Sequence, residues 1–131
     1  MIESGQAPKS SKVVIFGLTF KENCPDIRNS KVADIIERLR EYGIEPAVVD
    51  PWADKAEARQ EYGIELFHLD DIQDADCILF TVAHDSFKQI ALADLQAHFK
   101  AVSPNQLVLI DVKGLFTVSD LKASGLNYWR L

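Results

Sequence analysis

Val13-Val14-Ile15-Phe16-Gly17-Leu18-Thr19-Phe20-Lys21-Glu22-Asn23-Cys24-Pro25-Asp26-Ile27-Arg28-Asn29-Ser30 decides the fold. An apolar run reads as a buried strand and passes through a polar segment into an amphipathic helix. That helix carries Val32, Ile35, Ile36, Leu39 and Tyr42 on one stripe, with Asn29 or Ser30 as candidate caps and Gly43 as its end. Thr19 to Asn29 is longer than the usual connection of about 2–6 residues, and long loops in compact domains tend to carry function. The loop lies at the carboxyl end of a strand, where open α/β sheets bind ligands. It brings two cations, Lys21 and Arg28, to a helix N-terminus, which suits a phosphate. On local grounds Lys21 alone reads as a solvated lysine. Arg28 is a candidate for two-pronged anion binding or for an ion pair with Asp26 or Glu22.

The same alternation continues outward. Strand-like runs fall at 12–18, 44–49, 65–67, 77–82 and 107–111. Helices are expected over 32–42 and 54–62, a helical turn over 70–75, one or two helices within 86–100, and a helix over 118–124. Leu126 to Trp129 reads as a final extended piece. The pentapeptide Glu-Tyr-Gly-Ile-Glu occurs at 41–45 and 61–65, and both copies read as helix end, glycine turn and strand start. Strands alternating with helices give a three-layer α/β/α, Rossmann-like domain on a mainly parallel, five-stranded sheet. The carboxyl ends of its strands collect 19–29, Asp50-Pro51, 83–86 and 111–114 on one rim. Residues 1–11 read as a linker or ragged start, and 12–131 as the domain.

Composition narrows the function. The chain has 131 residues, a net charge of −6 and 47% apolar content, which fits one soluble domain and not a general nucleic-acid binder. No apolar run reaches the length of a membrane span. Cys24 and Cys77 form no CxxC motif or disulfide framework, so a reducing cytoplasm is the expected location. No metal-ligand spacing and no Ser/His/Asp triad stand out. The six glycines make no G-x-G and no phosphate-loop pattern. Cys24 lacks a neighbouring histidine, so it is a weak nucleophile candidate. His84-Asp85 falls on the rim, where it either does acid–base work or caps the next helix at a pocket edge. His68 and His98 read as surface positions. Lys113, next to Gly114, either reaches a phosphate on the same rim or sits in a simple turn. Trp52 and Trp129 leave open a place in the core or at a domain interface. Asp50 invites comparison with a phosphoacceptor receiver domain, but the end of strand one holds Leu18-Thr19-Phe20 where receivers gather acidic residues.

Gly17 to Ser30 closely resembles the opening motif of the C-terminal domain of UDP-glucose/GDP-mannose dehydrogenases. The resemblance runs on through Asp50-Pro51, the strand ending at Thr81, Phe87-Lys88 and Ile110-Asp111-Val112-Lys113-Gly114, and so spans residues 12 to about 128. The Lys-Glu-Asn-Cys-Pro-Asp version looks most like bacterial enzymes acting on UDP-N-acetylhexosamines for surface polysaccharides. The resemblance implies a five-stranded parallel sheet of order 3-2-1-4-5. It implies that Phe20 and Lys21 contact the nucleotide sugar and that Arg28 approaches NAD. Lys113 then stands where many relatives have a substrate-contacting arginine, keeping the charge but losing the planar fork. NAD itself would be held mainly by an N-terminal domain joined through a central helical one, in an oligomeric enzyme that oxidises the sugar C6 hydroxyl to a carboxylate. The dinucleotide fingerprint and catalytic-cysteine segment are not in these residues. The resemblance therefore implies a portion that is not catalytic alone and is possible as a monomer. The competing reading is a free-standing nucleotide-binding or regulatory module without catalysis.

Overall fold

β1 (Val13–Phe16) and β3 (Cys77–Phe80) lie side by side in the middle of a parallel sheet. Both are unbroken apolar runs because helices cover both of their faces. The computed structural model describes residues 12–19, 27, 31–68, 71–82, 84–90, 92–95, 98–99, 107–112 and 114–130. Around the central pair run β2 (Ala47–Val49), β4 (Val108–Asp111) and β5 (Asn127–Arg130), in the order β2-β1-β3-β4-β5, all parallel. The linker expected at 1–11 lies outside the described residues.

The expected order 3-2-1-4-5 needs one correction. Of 65–67, only Leu66 pairs with Val48, as an isolated bridge beyond β2. The fifth full strand is instead Asn127–Arg130 on the opposite edge, in register with β4. Polar ends (Asn127, Arg130) had masked that edge strand as a mere extended piece. β2 also begins later than Ile44, because Pro46 has no amide to give to a ladder.

α1 (Val32–Glu41) and α2 (Lys55–Tyr62) cover one face. Their Val32, Ile36 and Ala58 pack with Ile15, Leu18, Ile27 and Val48. α3 (Asp85–Lys88), α4 (Leu92–Leu95) and α5 (Val118–Ser124) cover the other. There Phe87, Leu95 and Leu121 pack with Val14, Phe16, Ile78 and Phe80. Successive β1 residues thus feed opposite layers, as strand geometry requires. Phe80 lies at the centre of an aromatic group, with ring centroids 4.7 Å from Phe16, 5.8 Å from Phe87 and 5.4 Å from Phe116.

Local signals set the helix ends. Asp54 accepts from the Glu57 amide and Thr117 from the Asp120 amide, so α2 and α5 start at side-chain caps. The repeated pentapeptide ends both α1 and α2, with Gly43 and Gly63 at positive φ (80° and 64°). α1 itself starts at Lys31 without a side-chain cap bond, and Asn29 and Ser30 lie outside the described residues. Of the turn expected over 70–75, the Asp71 amide donates to the His68 carbonyl, while Ala75 bridges Phe99. Trp52 and Trp129 are exposed, which removes the core alternative. No helix among the described residues is long and apolar enough to cross a membrane.

Candidate functional site

The carboxyl rim is held by bonds between strand exits. The Gly17 amide donates to the Val49 carbonyl at 2.9 Å, tying β1 to β2. The Thr81 hydroxyl donates to the Gly17 carbonyl at 2.7 Å, tying β3 to β1. Gly17 is at φ 116°, and a Cβ there would fall 2.6 Å from the Val82 Cβ. The exits of β1 and β3 can approach this closely only because position 17 has no side chain.

Asp50 is the hub of the rim. Its Oδ2 accepts from the amides of Leu18 (2.6 Å) and Thr19 (3.0 Å). Its Oδ1 accepts from the amides of Trp52 (2.8 Å) and Ala53 (3.2 Å). His84 Nε2 lies 3.0 Å from Oδ2 and 3.2 Å from the Thr19 hydroxyl oxygen. Both side chains of the His84–Asp50 pair are fully buried. Burial pushes the Asp50 carboxyl up, but the His84 hydrogen bond, the Leu18 amide, the charge of His84 and the Thr19 amide more than offset it, so its pKa is lowered. An ionised carboxylate only accepts, so the shared proton sits on Nε2.

This corrects two expectations. The partner of His84 is Asp50, thirty-four positions away, and not Asp85, which is exposed beside Lys88. His84 stands at the α3 N-cap position without a side-chain cap bond. The hydroxyl and the carboxylate meet the same ring nitrogen, whereas a proton relay needs opposite nitrogens. A phosphoacceptor role for Asp50 fails as well, since each oxygen already accepts from two amides inside the protein. From the sequence, Asp50 is a rim residue to compare with a phosphoacceptor, and nothing there assigns it a partner. The usable signal was a carboxylate, a threonine and a histidine at the exits of three apolar strands.

A carboxyl whose pKa falls on folding adds stability that is complete above its unfolded value, about 3.9, and lost as pH falls through the lower folded one. We expect the urea midpoint to drop as pH falls below about 4, with part of that drop missing in Asp50→Asn. An identical acid profile in the two proteins would contradict it.

The predicted contact residues Phe20, Lys21, Arg28 and Lys113 lie outside the described residues, as does Cys24. What the structure gives is their neighbours in the chain. Thr19, before Phe20, is 2% exposed and bonded to Asp50. Ile27, before Arg28, is buried against α1 and α2, and its carbonyl accepts from the Tyr62 hydroxyl at 2.5 Å. Around Lys113, Asp111 accepts from the Leu115 and Phe116 amides, both at 2.8 Å, closing the turn after β4. The Val112 amide donates to the Phe80 carbonyl. Of the other groups singled out, His98 is half-buried, its Nδ1 2.8 Å from the Ile72 carbonyl, and His68 is exposed. Cys77 is buried in β3, and burial pushes its thiol up to about 12, so it is unreactive.

Beside Asp50-Pro51 opens a cleft of about 290 Å³, walled by Phe16, Val49, Lys55, Phe67, Phe87 and Ile90. Asp50 also lines it, at the β2 position where dinucleotide-binding sheets place the carboxylate that takes ribose hydroxyls. Here that carboxylate is saturated from within.

The family model described as UDP-glucose/GDP-mannose dehydrogenase family, UDP binding domain, matches residues 14–118. Staphylococcus aureus Protein CapL is 36% identical over 131 residues, covering 100% of this chain and 30% of CapL. Pseudomonas aeruginosa UDP-N-acetyl-D-glucosamine 6-dehydrogenase is 42% identical over 105 residues, covering 80% of this chain and 24% of that enzyme. The chain thus spans less than a third of these relatives. Among solved structures, the NDP-N-acetyl-D-galactosaminuronic acid dehydrogenase of Methanosarcina mazei Go1 superposes with a TM-score of 0.82 at 21% identity, over 98% of this chain and 26% of that one, a likeness of fold. The chain belongs to the UDP-glucose/GDP-mannose dehydrogenase family, and the part of that family it matches is the UDP binding domain.

Proposed function

We propose that this chain is the nucleotide-sugar-binding portion of an NAD-dependent UDP-sugar 6-dehydrogenase and does not catalyse by itself. The observation that carries the reading is the family match over 14–118, which includes Phe20, Lys21, Arg28 and Lys113. Phe20, Lys21 and Lys113 bind the UDP-sugar, and Arg28 reaches toward NAD. The names of the relatives favour an N-acetylated hexose as the sugar.

These residues do not fit NAD as a resident cofactor. No G-x-G-x-x-G follows β1, and the Asp50 carboxylate is committed to four amides and His84. NAD belongs to the N-terminal portion of a longer, oligomeric, cytoplasmic enzyme, joined to this one through a central helical domain. The work left to this portion is to bind and orient the nucleotide, which supports catalysis through positioning.

Calorimetric titration with UDP tests the reading. The chain should bind UDP with micromolar to low-millimolar affinity, and Lys21→Ala should weaken it roughly tenfold or more by removing a charge-assisted contact to phosphate. Equal affinity of the two folded proteins would overturn the role of Lys21. Absence of UDP binding both here and in the longer protein that carries this domain would overturn the nucleotide reading.

A further inference from the structure

Four backbone amides and one imidazole converge on a single buried carboxylate where three adjacent strands end. The amides of Leu18 and Thr19 come from the exit of β1, those of Trp52 and Ala53 from the exit of β2, and the imidazole of His84 from the exit of β3. Two of those amides would suffice to close the Asp50-Pro51 turn. The other contacts reach across the sheet and fix Leu18 and Thr19, the last described residues before Phe20. Thr19 is held twice, through its amide by Asp50 and through its hydroxyl by His84.

We propose that Asp50 and His84 are positioning residues of the nucleotide site, which act by fixing the backbone at Leu18–Thr19 from which Phe20 and Lys21 depart. Neither side chain meets the ligand, since both are fully buried. A lysine has a long stem with several rotatable bonds, and binding costs the freedom of every group it must order. Holding the backbone two residues before Lys21 removes part of that cost in advance. His84 supplies what an apolar residue could not, an N–H directed at a carboxylate oxygen that already accepts two amides, in reach of the threonine hydroxyl. The ligand in this proposal rests on the nucleotide reading above; the fixing of Leu18 and Thr19 does not.

Three variants of the 131-residue chain separate positioning from plain stability. His84→Leu removes the N–H, His84→Gln keeps an N–H donor on a side chain of similar reach, and Leu121→Ala destabilises α5 at a core residue that is not among the hydrogen-bond partners of Asp50. Each is measured by thermal melting, by UDP titration, and by amide exchange at Leu18 and Thr19. His84→Leu should speed exchange at both amides and weaken UDP about tenfold, while His84→Gln should return affinity to within about threefold of the parent. Leu121→Ala should lower the melting temperature and leave UDP affinity and the two amides as they were. The proposal is overturned if folded His84→Leu binds UDP like the parent, or weakens it no more than Leu121→Ala does. Should the parent bind no UDP, the nucleotide reading passes to the same titration on the longer protein that carries this domain, and exchange alone decides the fixing. Faster exchange in His84→Leu but not in Leu121→Ala upholds it, and unchanged exchange rejects it.

Discussion

Alanine at position 17 is expected to destabilise the domain by about 3 kcal/mol or more, read as a fall in the urea midpoint at unchanged slope. Gly17 sits at φ 116°, a conformation that costs a residue with a side chain. The added Cβ would meet the Val82 Cβ at 2.6 Å and the Val82 amide nitrogen at 2.8 Å. Backbone movement cannot relieve the clash cheaply, because the Gly17 amide is bonded to Val49 and its carbonyl to Thr81. Trimming the opposing side chain should not rescue it either. Val82→Ala removes the methyl found 2.8 Å away and leaves both the Cβ and the backbone nitrogen. A Gly17→Ala protein within about 1 kcal/mol of the parent would show that the two exits can separate.

Asp50→Ala should cost about 3–5 kcal/mol, because it removes one buried acceptor from several donors at once, each costing about 1–3 kcal/mol when left unsatisfied and part of that being relieved by relaxation. The loss strands the amides of Leu18, Thr19, Trp52 and Ala53 together with the His84 N–H. With ordinary domain stability of about 5–15 kcal/mol, this brings the fold near its limit. The melting temperature should fall by roughly 10–20 °C. Asp50→Asn should cost less, since its amide carbonyl still accepts from one pair of backbone groups. Equal stability of Asp50→Ala and the parent would mean that water replaces the carboxylate, and the hub would then have no structural weight.

The class of fold was legible in the sequence because its strongest signals are periodic and local. Cys77-Ile78-Leu79-Phe80 is short, apolar throughout and bounded by polar residues, which reads as a strand covered on both faces, and the stripe from Val32 to Tyr42 reads as a helix packed on one side. Asp54 and Gly63 mark the ends of α2 by their own chemistry. The fifth strand was harder to read, since Asn127–Arg130 pairs on one side only and its composition follows solvent as much as the sheet.

The site was legible in part. Its expected place, on the rim beside the loop after β1, rests on chain order alone, which sends that loop to the carboxyl edge. The histidine was noticed but paired with its neighbour Asp85. Sequence adjacency favours i,i+1 partners, whereas a side chain at a strand exit meets the neighbouring strands. The sequence by itself determined the alternation of strands and helices, the rim, and the cations available for an anion, all of which depend on contacts a few residues long. Only the tertiary structure decided that Asp50 faces Thr19 and His84 and that Gly17 must lie against Val82. These pairs lie more than thirty positions apart in the chain, and they meet only because a parallel sheet aligns the ends of β2, β1 and β3.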